Sequence, residues 1–342
     1  MPLTPKENYL NFLNHKEIEW TPVEIVDCSY IGFGSVPGPT FEKGPIGGGL
    51  DGFGVNWVCP PTGNGASVPD PSQHIMDIDN FTEWRDIVKI PDVNAMDWDQ
   101  IAAREFQFCQ GYDPDINALQ YGCGTGVFER LAALMGFGDA LIALIEEPEE
   151  VKELFEKITD YKIATAKKVK DYINPDVFVN YDDICTQLAP FISHEQYEEL
   201  IKPYHKRLYD ACWELEMIPL QHTCGKAESF VEDMIEIGAA GWTSVQPTND
   251  IEGLLQKYGD RFCIIGGWDS AGAVSLPDAS FESRVEEIHR CFDTYGKYDA
   301  FAIFCFVLVN TTNPAEVGAT LGPLLGECAK YSHILGRSHR IK

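Results

Sequence analysis

Short apolar runs rich in β-branched residues alternate with longer stretches of helical periodicity through most of the chain. Val23-Glu-Ile-Val-Asp-Cys28, Ile116 to Tyr121, Asp176 to Tyr181, the run beginning at Ile218, Trp242 to Val245, Phe262 to Ile265 and Ala300 to Phe304 each lead into glycine or polar residues. Between them, apolar residues recur at helical spacing, as in Val151, Leu154, Phe155, Ile158 and Tyr161. Strands alternating with helices of ten or more residues predict a parallel sheet, and at least seven such units predict an α/β fold of the (β/α)8 TIM-barrel kind. A barrel of this size is one unit, so a single domain over residues 1–342 is expected.

Local signals place the helix ends. Thr4 is an N-cap with Pro5 at the first helical position, and Ser193 with Gln196 forms a capping box that opens a helix running to about Glu216. A helix from about Val127 to Ile145 follows Gly122-Cys-Gly-Thr-Gly126, and a glycine-rich turn there either holds an anion on free N–H groups or simply packs tightly. Gly238 ends a helix begun near Lys226, and the last helix covers Pro314 to Leu335.

One long interruption breaks this rhythm. From Gly32 to Pro71 the chain is dense in Gly and Pro with Phe33, Phe41, Phe53 and Trp57 among them, and two helices separated by Pro91 follow, so residues 32–110 read as a lid and insertion before the barrel resumes. Gly47, Gly49 and Gly52 match a dinucleotide-binding pattern in letters only, because no strand precedes them and no helix opens from them.

Charge narrows the function. With 53 acidic against 26 basic residues the net charge is −27, which repels phosphate backbones and anionic lipid headgroups, so neither nucleic acid nor a membrane surface is an expected partner. Eleven cysteines without short regular spacing argue against a disulfide framework and for a reducing, cytoplasmic setting. The N-terminus lacks the apolar core of a signal peptide, and no run of 18 apolar residues occurs.

In such a barrel the chemistry sits at the C-terminal ends of the strands. That rule selects Asp27, Cys28, Gln120, Tyr121, Asn180, Tyr181, Asp182, Asp183, His222, Cys224, Gln246, Asp269 and Cys305. An imidazole and a thiol two residues apart at a strand end, His222 and Cys224, can reach one zinc ion, and Cys305 on a later strand is a candidate third ligand. A hydrogen-bonded histidine beside a buried thiol, and a buried apolar Cys305, are the structural alternatives. Asp182 and Asp183 suit a general acid or a further metal ligand, or else cap the following turn.

The chain also resembles the uroporphyrinogen decarboxylase superfamily. The resemblance rests on Thr4-Pro-Lys-Glu-Asn-Tyr-Leu, on Asp182-Asp183 followed by Ala189-Pro-Phe-Ile-Ser193 and Lys202-Pro-Tyr, on His222-Thr-Cys224-Gly225, and on Gly266-Gly-Trp268-Asp269. The superfamily's true decarboxylases carry an arginine-rich motif after the first strand; Val26 to Gly34 contains no arginine. The resemblance is closer to the corrinoid-dependent methyltransferases, which implies zinc at His222, Cys224 and a distant cysteine at Cys305. It also implies a corrinoid (cobalamin) carried by a separate partner protein. The expected reaction moves a methyl group from a small methoxylated, aromatic compound to cob(I)amide, an O-demethylation with Asp182 or Asp183 as acid. Asp27, Tyr121, Asn180, Tyr181, Gln246 and Trp268 are expected to contact substrate, with Phe33 and Trp57 of the lid over the ring. The alternatives are a methylcobamide:thiol methyltransferase, a uroporphyrinogen-type decarboxylase and a ligand-binding barrel without catalysis; a homodimer stays open.

Overall fold

The computed structural model describes residues 2–32, 42, 44, 47–60, 67–109, 111–307, 309 and 313–339. Seven parallel strands form one curled sheet in chain order: β1 (Cys28–Gly32), β2 (Ala118–Cys123), β3 (Val177–Tyr181), β4 (Ile218–His222), β5 (Gly241–Val245), β6 (Cys263–Gly267) and β7 (Phe301–Phe304). A parallel bridge between Val23 and Ile303 of β7 closes the ring, giving a TIM-barrel-like α/β fold. The strand expected over Val23 to Cys28 is therefore displaced. Asp27 accepts the Val23 N–H (2.8 Å), Glu24–Asp27 close into one helical turn, and regular pairing with β2 starts only at Cys28.

Helices cover the outside and the base. α1 (Pro5–Leu13) starts at the Thr4–Glu7 capping box and places Tyr9, Phe12 and Leu13 in a cluster with Val177, Val179, Leu220, Cys263, Ile265 and Ala302, which fills the barrel interior. Residues of the opposite parity, such as Leu119, Tyr121, Phe178, Trp242, Ile264 and Phe301, join the larger core against the helices. After α2 (Trp98–Phe108), the helix expected from Val127 to Ile145 is split at Gly136 (φ 86°) into α3 (Val127–Met135) and α4 (Phe137–Glu146). α5 (Pro148–Tyr172) follows. The helix expected to run from Ser193 to Glu216 is likewise two, α6 (His194–Leu200) and α7 (Lys202–Glu214), because Pro203 sits in the first turn of the second. α8 (Val231–Glu236), α9 (Ile251–Tyr258), α10 (Phe281–Tyr295) and α11 (Pro314–Leu335) complete the layer.

The described part of the N-terminal lid is clamped to the barrel. Three short antiparallel strands, Gly49–Leu50, Asn56–Val58 and Val68–Pro69, form a small sheet, and Phe53, Val55 and Trp57 are buried. Arg130 of α3, only 1% exposed, donates to Asp51 (2.6 Å) and to Thr125 Oγ1 (2.8 Å), and its guanidinium lies 4.0 Å from the Phe53 ring centre. Lys162 of α5 pairs with Glu42 (3.2 Å), and both side chains are buried. Two buried ion pairs thus fix the lid, and removing one partner strands a charge in an apolar interior. Arg130→Ala is expected to lower stability by about 3–5 kcal/mol in denaturant unfolding; a loss below about 1 kcal/mol would show that the lid is held by its apolar contacts alone.

Candidate metal centre

β4 ends at His222 on the inward parity of the barrel, and the chain then turns sharply at Gly225 (φ 83°). A side chain at Gly225 would meet the Thr186 carbonyl oxygen at 2.4 Å, so the loops after β3 and β4 touch backbone to backbone. Gln246, after β5, accepts the Gly225 N–H (2.7 Å), and Asn249 donates to the Gly225 carbonyl (2.9 Å). These bonds fix where Cys224 points.

The result is a three-residue cluster. One ligand atom each from His222, Cys224 and Asp183 lie within 4.8 Å of one another, all half-buried. The Cys224 thiol is 3.5 Å from His222 Nε2, Asp183 Oδ1 accepts the Cys224 N–H (2.7 Å), and the Tyr181 ring stacks on the imidazole at 4.0 Å. Tyr181 and the Tyr30 hydroxyl share a short hydrogen bond. Imidazole nitrogen, thiol sulfur and carboxylate oxygen are the donor types zinc takes, and three protein ligands leave a fourth position for a reactant. The donor set fits the ion that the resemblance implies.

Other expected site residues stand elsewhere, and parity explains most of them. Tyr121 and Asn180 have the outward parity: Tyr121 packs against Phe178 with ring centres 5.7 Å apart, and Asn180 is completely buried. Cys305, expected as the third ligand, shares the parity of Phe301 and Ile303. It is fully buried with a hydrogen bond to Cys328 of α11, which with burial pushes its thiol well up, and it is not among the three residues brought together. Asp182 is turned from the mouth as well. Its carboxylate accepts the N–H groups of Phe128 (3.2 Å) and Glu129 (2.8 Å) at the start of α3 and bonds His205 Nε2 (2.8 Å), so it caps a helix. Asp27 is held by Trp20 Nε1 (3.2 Å) and the Val23 N–H, and burial raises it to about 6. Trp268 is buried and donates to Ser275 (2.9 Å), while Gln246 braces the Cys224 turn. Phe33 lies outside the described residues.

A cleft of about 510 Å³ opens beside the cluster. Trp57, Val68 and Pro69 of the lid form one wall and Phe128, Phe137 and Phe191 another; His74, Glu129 and Asp183 are its ionisable lining residues. Edge-to-face contacts join Phe137 to Phe191 (5.0 Å) and to Phe128 (6.1 Å).

Glu24 is the residue whose importance the sequence hid. It is completely buried, and its carboxyl meets Gln120 Nε2 (2.9 Å) and Thr243 Oγ1 (3.3 Å), with no ion pair among the described residues. Burial raises it from 4.5 to about 7. A lone acid inside Val23-Glu-Ile-Val26 was the available signal.

Two measurements check this picture. Zinc titration should give one tight site in wild type and in Cys305→Ser. His222→Ala and Cys224→Ala should lose it, and Asp183→Asn should weaken it by roughly 10–100-fold; full retention in Asp183→Asn would remove Asp183 from the set. The second follows from Glu24. The unfolded chain ionises it near 4.5 whereas the fold keeps its proton to about 7, so the stability it contributes is present below that lower value and is lost as pH rises through about 7. The loss reaches about 3 kcal/mol. Glu24→Gln is therefore expected to gain on wild type between about pH 5 and pH 8 in thermal unfolding, and a constant difference would contradict burial of the neutral acid.

Comparison with known proteins agrees with this architecture. The chain is similar to a methyltransferase from Methanosarcina mazei, with a TM-score of 0.65 at 13% identity over 96% of this chain and 99% of that one. Weaker likenesses, both at a TM-score of 0.38, are to xylanase B from Clostridium stercorarium F9 (13% identity, 62% of this chain and 73% of that one) and to Old Yellow Enzyme from Pichia sp. AKU4542 (14%, 68% and 66%). No curated protein matches the sequence. No described helix is long and apolar enough to cross a membrane. The uroporphyrinogen decarboxylase (URO-D) family profile matches residues 119–312, more than half of the chain, which contain six of the seven barrel strands and all three residues of the cluster. The chain belongs to the uroporphyrinogen decarboxylase family.

Proposed function

We propose that the protein is a zinc-dependent methyltransferase that demethylates a small methoxylated aromatic compound and passes the methyl group to the cob(I)amide of a separate corrinoid protein. One observation carries the reading: Asp183 belongs both to the His222–Cys224 cluster and to the lining of the aromatic cleft, so a ring held in the cleft has its substituent beside the metal ligands.

The cleft lining suits a neutral planar ring. Trp57, Phe128, Phe137 and Phe191 give it flat apolar walls, and Glu129 and Asp183 place two carboxyl groups in it with neither lysine nor arginine among the described lining residues. A porphyrinogen with many carboxylates would find repulsion there, which weighs against decarboxylation. Trp57, Val68 and Pro69 of the lid shield one side of the cleft from water. Zinc at His222, Cys224 and Asp183 would supply Lewis acidity toward the ether oxygen. Gln246 and Asn249 hold the Cys224 turn in place, and Tyr181 fixes the imidazole plane by stacking.

Zinc-loaded protein incubated with a reduced corrinoid protein and a panel of methoxyarenes should form methyl-cobalt, followed by its visible absorption. Phe137, half-exposed at the cleft edge, can be truncated without opening the core, and Phe137→Ala should raise KM roughly 3–10-fold at unchanged zinc content. Turnover with methylcorrinoid and a thiol acceptor, and none with any ether, would assign the protein to the thiol branch instead.

A further inference from the structure

Demethylation of an aryl ether consumes a proton. The methyl carbon leaves oxygen for cobalt(I), whose electron pair makes the new bond; the C–O pair stays on oxygen, and the phenolate needs a proton to leave as a phenol. Neither acid expected from the sequence is placed to give one. Asp182 is committed to two backbone N–H groups and His205, and Asp183 belongs to the metal cluster.

The barrel interior holds another acid. The two hydrogen-bond partners of Glu24 are the ladder neighbours of the rim residues: Gln120 lies opposite Tyr30 in the pairing of β1 with β2, and Thr243 lies opposite His222 in the pairing of β4 with β5. Tyr181 lies opposite His222 in turn, and its hydroxyl bonds that of Tyr30. Glu24 therefore sits behind the Tyr30–Tyr181–His222 group, and its charge bears on both tyrosine hydroxyls. The titratable groups on which its charge bears are Tyr9 of α1, Cys28 at the start of β1, Tyr30 and Tyr181, and none of these is a cation. A carboxyl group buried among neutral donors keeps its proton.

We propose that Glu24 stores the proton that the departing ether oxygen takes up, and that the Tyr30–Tyr181 hydroxyl pair is its outlet to the mouth. The reserve is refilled from solvent after product leaves, so each turnover moves one proton inward and one outward along the same pair. This role rests on the demethylase reading. Ionisation of Glu24 near neutral pH empties the store, and the rate on unactivated ethers falls on the alkaline side.

The test compares Glu24→Gln with wild type on two classes of ether at equal zinc content. Glu24→Gln keeps the shape and both hydrogen bonds but has no proton to give. On unactivated methoxyarenes its kcat should fall on the order of 100-fold and lose its alkaline limb. On nitro-substituted methoxyarenes, whose phenolates leave without protonation, kcat should change less than about threefold. Tyr30→Phe should reproduce the selective loss. Equal loss on both classes, or no loss, overturns the role of Glu24 while leaving the demethylase reading in place. No turnover of any ether by wild type overturns both. A carboxyl 13C resonance missing from Glu24→Gln and already ionised at about pH 5.5 would also sink the proposal, without any turnover measurement.

Discussion

Side chains alternate across a strand, and in a closed barrel that alternation decides which residues can meet. Tyr30, Gln120, Tyr181, His222 and Thr243 belong to the inward set, so five different strands contribute to one interior and its rim. Tyr121, Asn180 and Cys305 belong to the other set and serve the helix layer. A residue at the end of a strand is at the mouth only if its parity is right. The bridge between Val23 and Ile303 closes the ring and makes the parity binding, because a curled but open sheet would leave its edge strands free to slip.

Beyond parity, the cluster depends on loops that touch. The third member, Asp183, reaches His222 and Cys224 because the loop after β3 passes backbone to backbone over Gly225. Its neighbour Asp182 faces the opposite way and caps α3, which is also why Gly126 cannot carry a side chain: a Cβ there would lie 2.1 Å from the Asp182 carboxyl carbon. Two adjacent aspartates thus stand in unrelated surroundings, one holding a helix and one beside His222 and Cys224.

The periodicities made the barrel legible, and the capping boxes at Thr4 and Ser193 and the last helix stand where the sequence placed them. The closeness of His222 and Cys224 was legible because residues two apart at a strand end need no tertiary information to be neighbours. That Asp183, not Cys305, lies beside this pair was not, since which distant residue joins a local pair is set by parity and by loop contact. Nor was the strand start, because a single side-chain bond from Asp27 to the Val23 N–H outweighed a β-branched run. The lid read as structureless from its Gly and Pro content, yet Arg130 and Lys162 hold its described part by charges that sit on helices 79 and 120 residues away in sequence.

Several of the buried ionisable groups are paired, whereas Glu24, like Asp27, meets only neutral partners. Arg130 has Asp51, Lys162 has Glu42, Asp182 has His205, and each of these pairs has further hydrogen bonds around it. Glu24 has an amide and a hydroxyl. A leucine or methionine of similar volume would fill the same space at no electrostatic cost, so as a structural element the acid is a poor choice above its own pKa. Sites that break the local rules for stability are where function is to be sought. Here the break falls behind the tyrosine that stacks on His222, next to the place where the proposed demethylation would need a proton. The physical cost of keeping Glu24 and the chemical need for a proton therefore point to the same place.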